Sequence, residues 1–247
     1  QKLLGDKTAE TVLGDLVTKV TGRAEFGIDV RDEGMLVAAL ALGPHRQAKV
    51  TATNLDQAKA MPGVKAIAPV NGGYAVIADS FWRARKAAEA LTLTVAESPI
   101  AGLDDANVAK TISSAFDSVP AEPFPNADIT VSPPKFTPGN PEAVAKALAT
   151  APVKLEAEYA VPYLAHATLE PICCSARLRY GELLVRGPLQ APEGSRILAA
   201  TLAGLPIEKV RVEVTFIGGG FGRKWSTDFV EVAVQAALAA PGHMVKT

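Results

Sequence analysis

Met35 to Leu42 is a continuous apolar run and Lys49 to Thr53 alternates polar and apolar residues, and both read as strands. Leu55 to Met61 follows with helical spacing and is stopped by Pro62-Gly63. Val64 to Val70 and Tyr74 to Ala78 are β-rich runs separated by Asn71-Gly72, a pair suited to a tight hairpin turn because both residues tolerate positive φ. Ser80 is placed to cap a helix running to about Ala90, with Ala84, Ala87, Ala88 and Leu91 on one face. Leu91 to Val95 closes this region as another strand. The pattern predicts a compact α+β unit over roughly Leu13 to Glu97, preceded by an N-terminal extension over residues 1–12.

Composition changes at Ser98. Pro99, Pro120, Pro123, Pro125, Pro133, Pro134, Pro138 and Pro141 crowd the next stretch, which reads as a surface connector over 98–150 containing one helix, Asp104 to Phe116. Strand periodicity resumes with Val153 to Val161. Cys174 to Leu178 and Leu183 to Val185 form a pair around Tyr180-Gly181, and Glu193 to Ala203 is helical up to Gly204. Lys209 to Ile217 alternates as a strand, Ser226 to Ala239 is a helix stopped by Pro241-Gly242, and Met244 onward opens a further strand. Two separate α+β lobes are therefore expected, the second beginning near residue 151.

The chain has 247 residues, 48% hydrophobic, with 25 lysines and arginines against 26 aspartates and glutamates. Such a balance offers no basic stripe for nucleic acid, and no apolar run approaches the ~20 residues that span a bilayer. The sequence begins at Gln1 without an initiator Met or signal core and stops as a strand begins, which reads as a fragment, a processed chain or a split subunit. Compartment is left open between bacterial cytoplasm and periplasm. Cys173 and Cys174 are adjacent, a spacing that fits neither a zinc site nor an iron–sulfur cluster. Three scattered histidines, His45, His166 and His243, give no metal site.

The sharpest chemical feature is Gly218-Gly219-Gly220-Phe221-Gly222-Arg223-Lys224, set between a predicted strand and a predicted helix. Successive glycines let backbone N–H groups converge on one point, and the helix that follows adds the positive end of its dipole. The loop suits an anionic cofactor or an oxo group, with Arg223 and Lys224 available to add charge. It is not a dinucleotide fingerprint, which from Gly218 would need glycine where Arg223 stands, nor a Walker A loop, which Gly222-Arg223 breaks. A generic nucleotide-binding protein is disfavoured accordingly. A plain tight turn remains the alternative, though Phe221 is costly in one unless it packs.

The string Phe216-Ile217-Gly218-Gly219-Gly220-Phe221-Gly222-Arg223-Lys224, followed by Asp228-Phe229-Val230, resembles the large-subunit signature of the xanthine dehydrogenase and aldehyde oxidase family of molybdenum hydroxylases. Arg223 with Asp-Phe-Val behind it is most similar to the isoquinoline 1-oxidoreductase beta-subunit branch. Lys19 to Val30 with Gly34-Met35-Leu36, Ala60 to Val64, and Ala78 to Ala84 resemble blocks of that family's hammerhead domain. Tyr159 to Pro171 resembles the opening of its cofactor-binding domain. The resemblance implies a hammerhead-like α+β domain over 13–97 and a partial molybdopterin-binding domain over 151–247. It implies molybdenum–molybdopterin, in the cytosine dinucleotide form, and oxidation of an aldehyde or N-heteroaromatic substrate with water as oxygen source. Electrons would leave through [2Fe-2S] clusters on an iron–sulfur small subunit; the remainder of the large subunit would be a second partner.

Residue by residue, the resemblance places Gly219, Gly220, Phe221, Gly222 and Arg223 against the cofactor, with Gln190, in Pro188-Leu189-Gln190-Ala191-Pro192, as an amide donor to an oxo ligand. Leu189 departs from the threonine usual before that glutamine. The family's catalytic glutamate lies near the end of the large subunit, so no residue of this chain is assigned that role, and the chain alone is expected to be inert. Trp225, His166 and Glu170 are candidates for lining the substrate funnel; against this stand core packing for Trp225 and a structural hydrogen-bond pair for His166 and Glu170. Ser195 lacks a nucleophile elbow. A non-catalytic assembly module that docks partner subunits is the competing function.

Overall fold

The computed structural model describes residues 16–45, 48–96, 100, 102–118 and 140–247. The expected N-terminal extension and most of the proline cluster lie outside these residues. Two compact units are present: one is formed by residues 1–101 and 165–247, the other by residues 102–164.

In the first unit the strands are β1 (Leu36–Leu42), β2 (Val50–Ala52), β3 (Val64–Val70), β4 (Gly73–Ala78), β5 (Leu93–Val95), β6 (Ser175–Arg179), β7 (Glu182–Gly187), β8 (Val210–Val214) and β9 (Val245–Lys246). Its helices are α1 (Leu16–Val20), α2 (Leu55–Lys59), α3 (Phe81–Glu89), α6 (Pro192–Ala203) and α7 (Asp228–Ala239). The second unit holds α4 (Asp105–Ser118) and α5 (Pro141–Thr150).

Seven strands form one mixed sheet in the order β3-β4-β1-β9-β6-β7-β8, while β2 and β5 pair by themselves. The expectation of two separate lobes is thereby corrected: strands from both halves of the sequence share one sheet. The join is β9, parallel to β1 through Leu36↔Val245 and antiparallel to β6 through Ser175↔Lys246. The core is shared too. Leu36, Ala38, Ala75 and Ile77 pack in one cluster with Val185, Val230, Ala233, Val234 and Ala237, so α7 covers strands from both halves. Alternate residues of the same strands, Ala39, Ala41, Val76 and Ala78, face the opposite way, against Ala84, Ala87 and Ala88 of α3. β4 is thus buried on both faces, which explains its nearly continuous apolar run.

The local signals act as the sequence suggests. Asn71-Gly72 links β3 to β4, with Val70 paired to Gly73 across the turn. Ser80 accepts a hydrogen bond from the Arg83 N–H and caps α3, and Gly204 ends α6 in the left-handed region, φ 62°. Two expectations differ. Asn140 caps α5 by accepting from the Glu142 and Ala143 N–H groups, so the connector carries a second helix. The strand expected over Val153 to Val161 is not formed: these residues have no ladder partners among the described residues, and Val153, Leu155, Tyr159 and Val161 are exposed. Alternation marks a segment able to pair, but a strand exists only where a neighbour takes up its N–H and C=O groups. Among the described residues no helix is long and apolar enough to cross a membrane.

Candidate functional site

β8 ends at Val214, and the chain then turns through the glycine loop into the short 3-10 turn Arg223–Trp225 and α7. Gly219, Phe221 and Gly222 all take positive φ, 100°, 49° and 89°. Gly220 does not, so its need for glycine has another origin. A Cβ there would lie 2.6 Å from Gln190 Oε1 and 2.8 Å from Gln190 Cδ. The loop backbone and the Gln190 amide are in direct contact, and only a residue without a side chain fits between them.

Gln190 is held from two directions. Its N–H donates to the Lys224 carbonyl at 3.1 Å, and its Oε1 accepts from the Lys224 N–H at 3.1 Å. With the oxygen so anchored, the Nε2 end has no protein acceptor among the described residues. The same holds for the N–H groups of Gly219, Gly220, Phe221 and Gly222. Four consecutive backbone donors and a fixed side-chain amide are left unmatched in one place. That arrangement accepts an anion or oxo group without supplying a titratable side chain.

Sequence reasoning expected Arg223 and Lys224 to add charge to this loop. Lys224 instead turns inward: it is 1% exposed, and its Nζ meets Glu170 Oε2 at 2.6 Å. Glu170 is buried as well. Its Oε1 accepts from the Gly27 N–H and its Oε2 from the Gly218 N–H, each at 2.8 Å. Glu170 therefore belongs beneath the loop rather than on the wall of a funnel, and it forms no functional pair with His166, which is exposed. Arg223 forms a two-point ion pair with Asp228 at the start of α7, at 2.8 and 2.7 Å. Hydrogen bonding to Asp228 raises the guanidinium above its usual range. Its charge is largely compensated there, and it fastens the loop's far end to the helix.

Phe221 is 75% exposed and Trp225 67% exposed, on the open side of the loop. Trp225 shares an open cleft of about 630 Å³ with Gln190, Pro192, Glu193, Ser226 and Thr227. Neither ring packs in the core. Among the described residues no group of three or more histidine, cysteine, aspartate or glutamate side chains could hold a metal ion directly. Cys173 and Cys174 are buried free thiols; burial, then the Glu170 charge, pushes Cys173 up to about 11, and burial raises Cys174 further. Both are closed to thiolate chemistry at neutral pH. Gly27 is the residue sequence reasoning missed, and for Lys224 it missed the inward role; a hint was Glu170, an acid set in an apolar stretch.

Residues 125–247 match the molybdopterin cofactor-binding domain. The chain belongs to the xanthine dehydrogenase and aldehyde oxidoreductase family of molybdenum-binding subunits. It is 24% identical over 259 residues to the xanthine dehydrogenase molybdenum-binding subunit of Escherichia coli O157:H7, covering 92% of this chain and 33% of that protein. It is 28% identical over 242 residues to the aldehyde oxidoreductase molybdenum-binding subunit PaoC of Escherichia coli K12, covering 90% and 31%. Among solved structures, the Cu,Mo-CO dehydrogenase in its carbon monoxide reduced state superposes with a TM-score of 0.69 at 23% identity, over 95% of this chain and 34% of that one. The family's α+β architecture is therefore present. The chain spans about a third of the length of the curated relatives it matches.

Proposed function

We propose that this chain forms one wall of a molybdopterin site in a molybdenum-dependent hydroxylase that oxidises an aldehyde or N-heteroaromatic substrate. The observation that carries the proposal is the group of unmatched donors at Gly219 to Gly222 beside the anchored Gln190 amide. These residues suit a large anionic group carrying oxo ligands. Gly219, Gly220, Phe221 and Gly222 would hold it through main-chain N–H groups, Gln190 through Nε2, and Arg223 would secure the loop end. When bound, the molybdenum carried by molybdopterin would supply the two-electron redox centre, with water as the oxygen source. The chain's own contribution is to orient the group with donors that neither titrate nor reorganise as its charge changes. The exposed Trp225 offers an apolar contact beside Gln190, which favours a flat aromatic substrate. The cytosine dinucleotide form, the isoquinoline 1-oxidoreductase branch, a [2Fe-2S] small subunit and the remaining part of a large subunit belong to the same proposal.

The test is to express the chain in its full-length subunit with its iron–sulfur partner, then measure molybdenum and released pterin per protein. About one of each is expected. Gln190→Ala is expected to lower turnover per bound molybdenum by about 10²–10³-fold, the usual loss for one preorganised donor. A complex with no pterin would refute the proposal. The exposed apolar residues over 153–164 favour a second reading, a non-catalytic module that docks partner subunits. The same pterin measurement on the assembled complex separates the two.

A further inference from the structure

Glu170 Oε2 accepts from two groups at opposite ends of the glycine loop: the Gly218 N–H at 2.8 Å and Lys224 Nζ at 2.6 Å. Its other oxygen takes the Gly27 N–H at 2.8 Å, from a segment far away in sequence. The Glu170 backbone is fixed in turn, its N–H donating to the Gly218 carbonyl at 3.0 Å and its carbonyl accepting from Thr168 Oγ1 at 2.8 Å. Lys224 is gripped at both ends, its ammonium by Glu170 and its N–H by Gln190.

We propose that the buried Glu170–Lys224 pair is a positioning clamp that sets the backbone of residues 218–224 and the orientation of the Gln190 amide, and so aims the donors of the molybdopterin site. This rests on the reading of that site given above. The donor count explains why a carboxylate is required. Three donors converge on residue 170, and both oxygens must accept. A glutamine there would offer one acceptor and turn an NH₂ toward another donor. The packing is equally tight: a Cβ on Gly218 would lie 2.4 Å from Glu170 Cβ. The loop's two ends are thus tied to one oxygen, while the N–H groups of Gly219, Gly220, Phe221 and Gly222 between them have no protein acceptor among the described residues.

Glu170 touches neither cofactor nor substrate in this scheme, so its effect must be visible in the cofactor-free chain. The N–H groups of Gly218, Arg223, Lys224 and Trp225 are all bonded inside the protein and report the state of the loop by hydrogen exchange. In Glu170→Gln, exchange at these positions and at Gly27 is expected to rise on the order of a hundredfold, as when one member of a buried ion pair loses its partner. β7 and α7 should keep their protection. In the assembled complex, pterin content should fall to under about a tenth.

Glu170→Asp, which keeps the charge and withdraws it by one methylene, is measured alongside and carries the test if Glu170→Gln does not fold. It is expected to loosen the same positions less and to restore part of the pterin. The clamp is refuted if the loop positions stay protected in both variants. Equal loss of protection throughout β7 and α7 also refutes it, because the pair would then support the fold as a whole. Unchanged pterin despite a released loop would remove its positioning role. A complex of the unsubstituted chain that lacks pterin refutes the cofactor reading instead, and the exchange pattern of the cofactor-free chain still decides the clamp.

Discussion

Gly220→Ala perturbs the contact between the loop and Gln190 at a single atom. Gly220 lies outside the positive-φ region, so alanine is compatible with its backbone and contributes about 0.4–1 kcal/mol by restricting the unfolded chain. Against this, the new methyl would sit 2.6 Å from Gln190 Oε1, well inside ordinary contact distance. The amide must swing away, and the 3.1 Å bond from the Lys224 N–H goes with it. Lys224 is buried, so its N–H is left without a partner at a cost of about 1–3 kcal/mol. The net loss is about 0–2.6 kcal/mol, a fall of up to roughly 10 °C in melting temperature for a chain of this size. Gln190→Ala removes the same bond by itself and should cost a similar amount. In the double variant the methyl has nothing to strike and the bond is already gone. The double variant should therefore be no less stable than Gln190→Ala alone, a coupling of about 1–2 kcal/mol in a double-mutant cycle. Urea or thermal unfolding of the four proteins gives this number. Strict additivity would refute the reasoning and show that loop and amide relax independently.

Phe221→Leu keeps the N–H and alters a side chain that is mostly in water, so unfolding midpoints should stay within about 0.5 kcal/mol of the parent and pterin should be retained; loss of pterin would make the ring, not the backbone, the functional group. Arg223→Ala deletes the two-point pair with Asp228 and should cost about 1–2 kcal/mol, reduced from the fully buried case because Arg223 is partly solvated; an unchanged midpoint would show that the loop end is held by other contacts. Cys173 and Cys174 should be silent to a thiol reagent in the folded chain at pH 7 and both react in denaturant, and a fast native thiol would contradict their burial. Because folding raises the Cys173 thiol from 9.0 to about 11, its contribution to stability is fully present below pH 9 and falls away as pH rises through 11. An alkaline unfolding series should therefore slope downward across that window, and Cys173→Ala should flatten the slope.

Much of the local architecture was legible because its causes are local. Asn71-Gly72 has the chemistry of a two-residue turn, Ser80 that of a helix cap and Gly204 that of a helix end, and each acts so. The Asn140-Pro141 start of α5 carried an equally local signal, hidden by the prolines around it. Sheet continuity was not legible. Alternation tells which face of a strand is apolar, not which strand lies beside it, and the join depends on two residues of β9. The same limit explains Val153 to Val161, where alternation is present and no ladder partner is found among the described residues. At the site, the loop and Gln190 were identified by type and order. The reason for Gly220 is steric, and nothing in the sequence gives the distance to an amide thirty residues earlier. The burial of Lys224 is not legible because lysine is seldom buried without a partner, and its partner lies 54 positions away.

The central place of β9 has a consequence for how the chain comes to exist as a folded body. As a ribosome makes the protein, β1, β3, β4 and α3 can associate early, because their contacts are close in sequence. One face of that early sheet, bearing Leu36, Ala38, Ala75 and Ile77, has no cover until α7 has been synthesised, and its β1 edge has no neighbour until Val245 arrives. A half-made chain would present both an apolar surface and an open strand edge to the cell, the two features that recruit chaperones or other nascent chains. The inserted second unit, residues 102–164, is part of that interval, so lengthening it should slow maturation and raise the aggregated fraction without altering the finished fold.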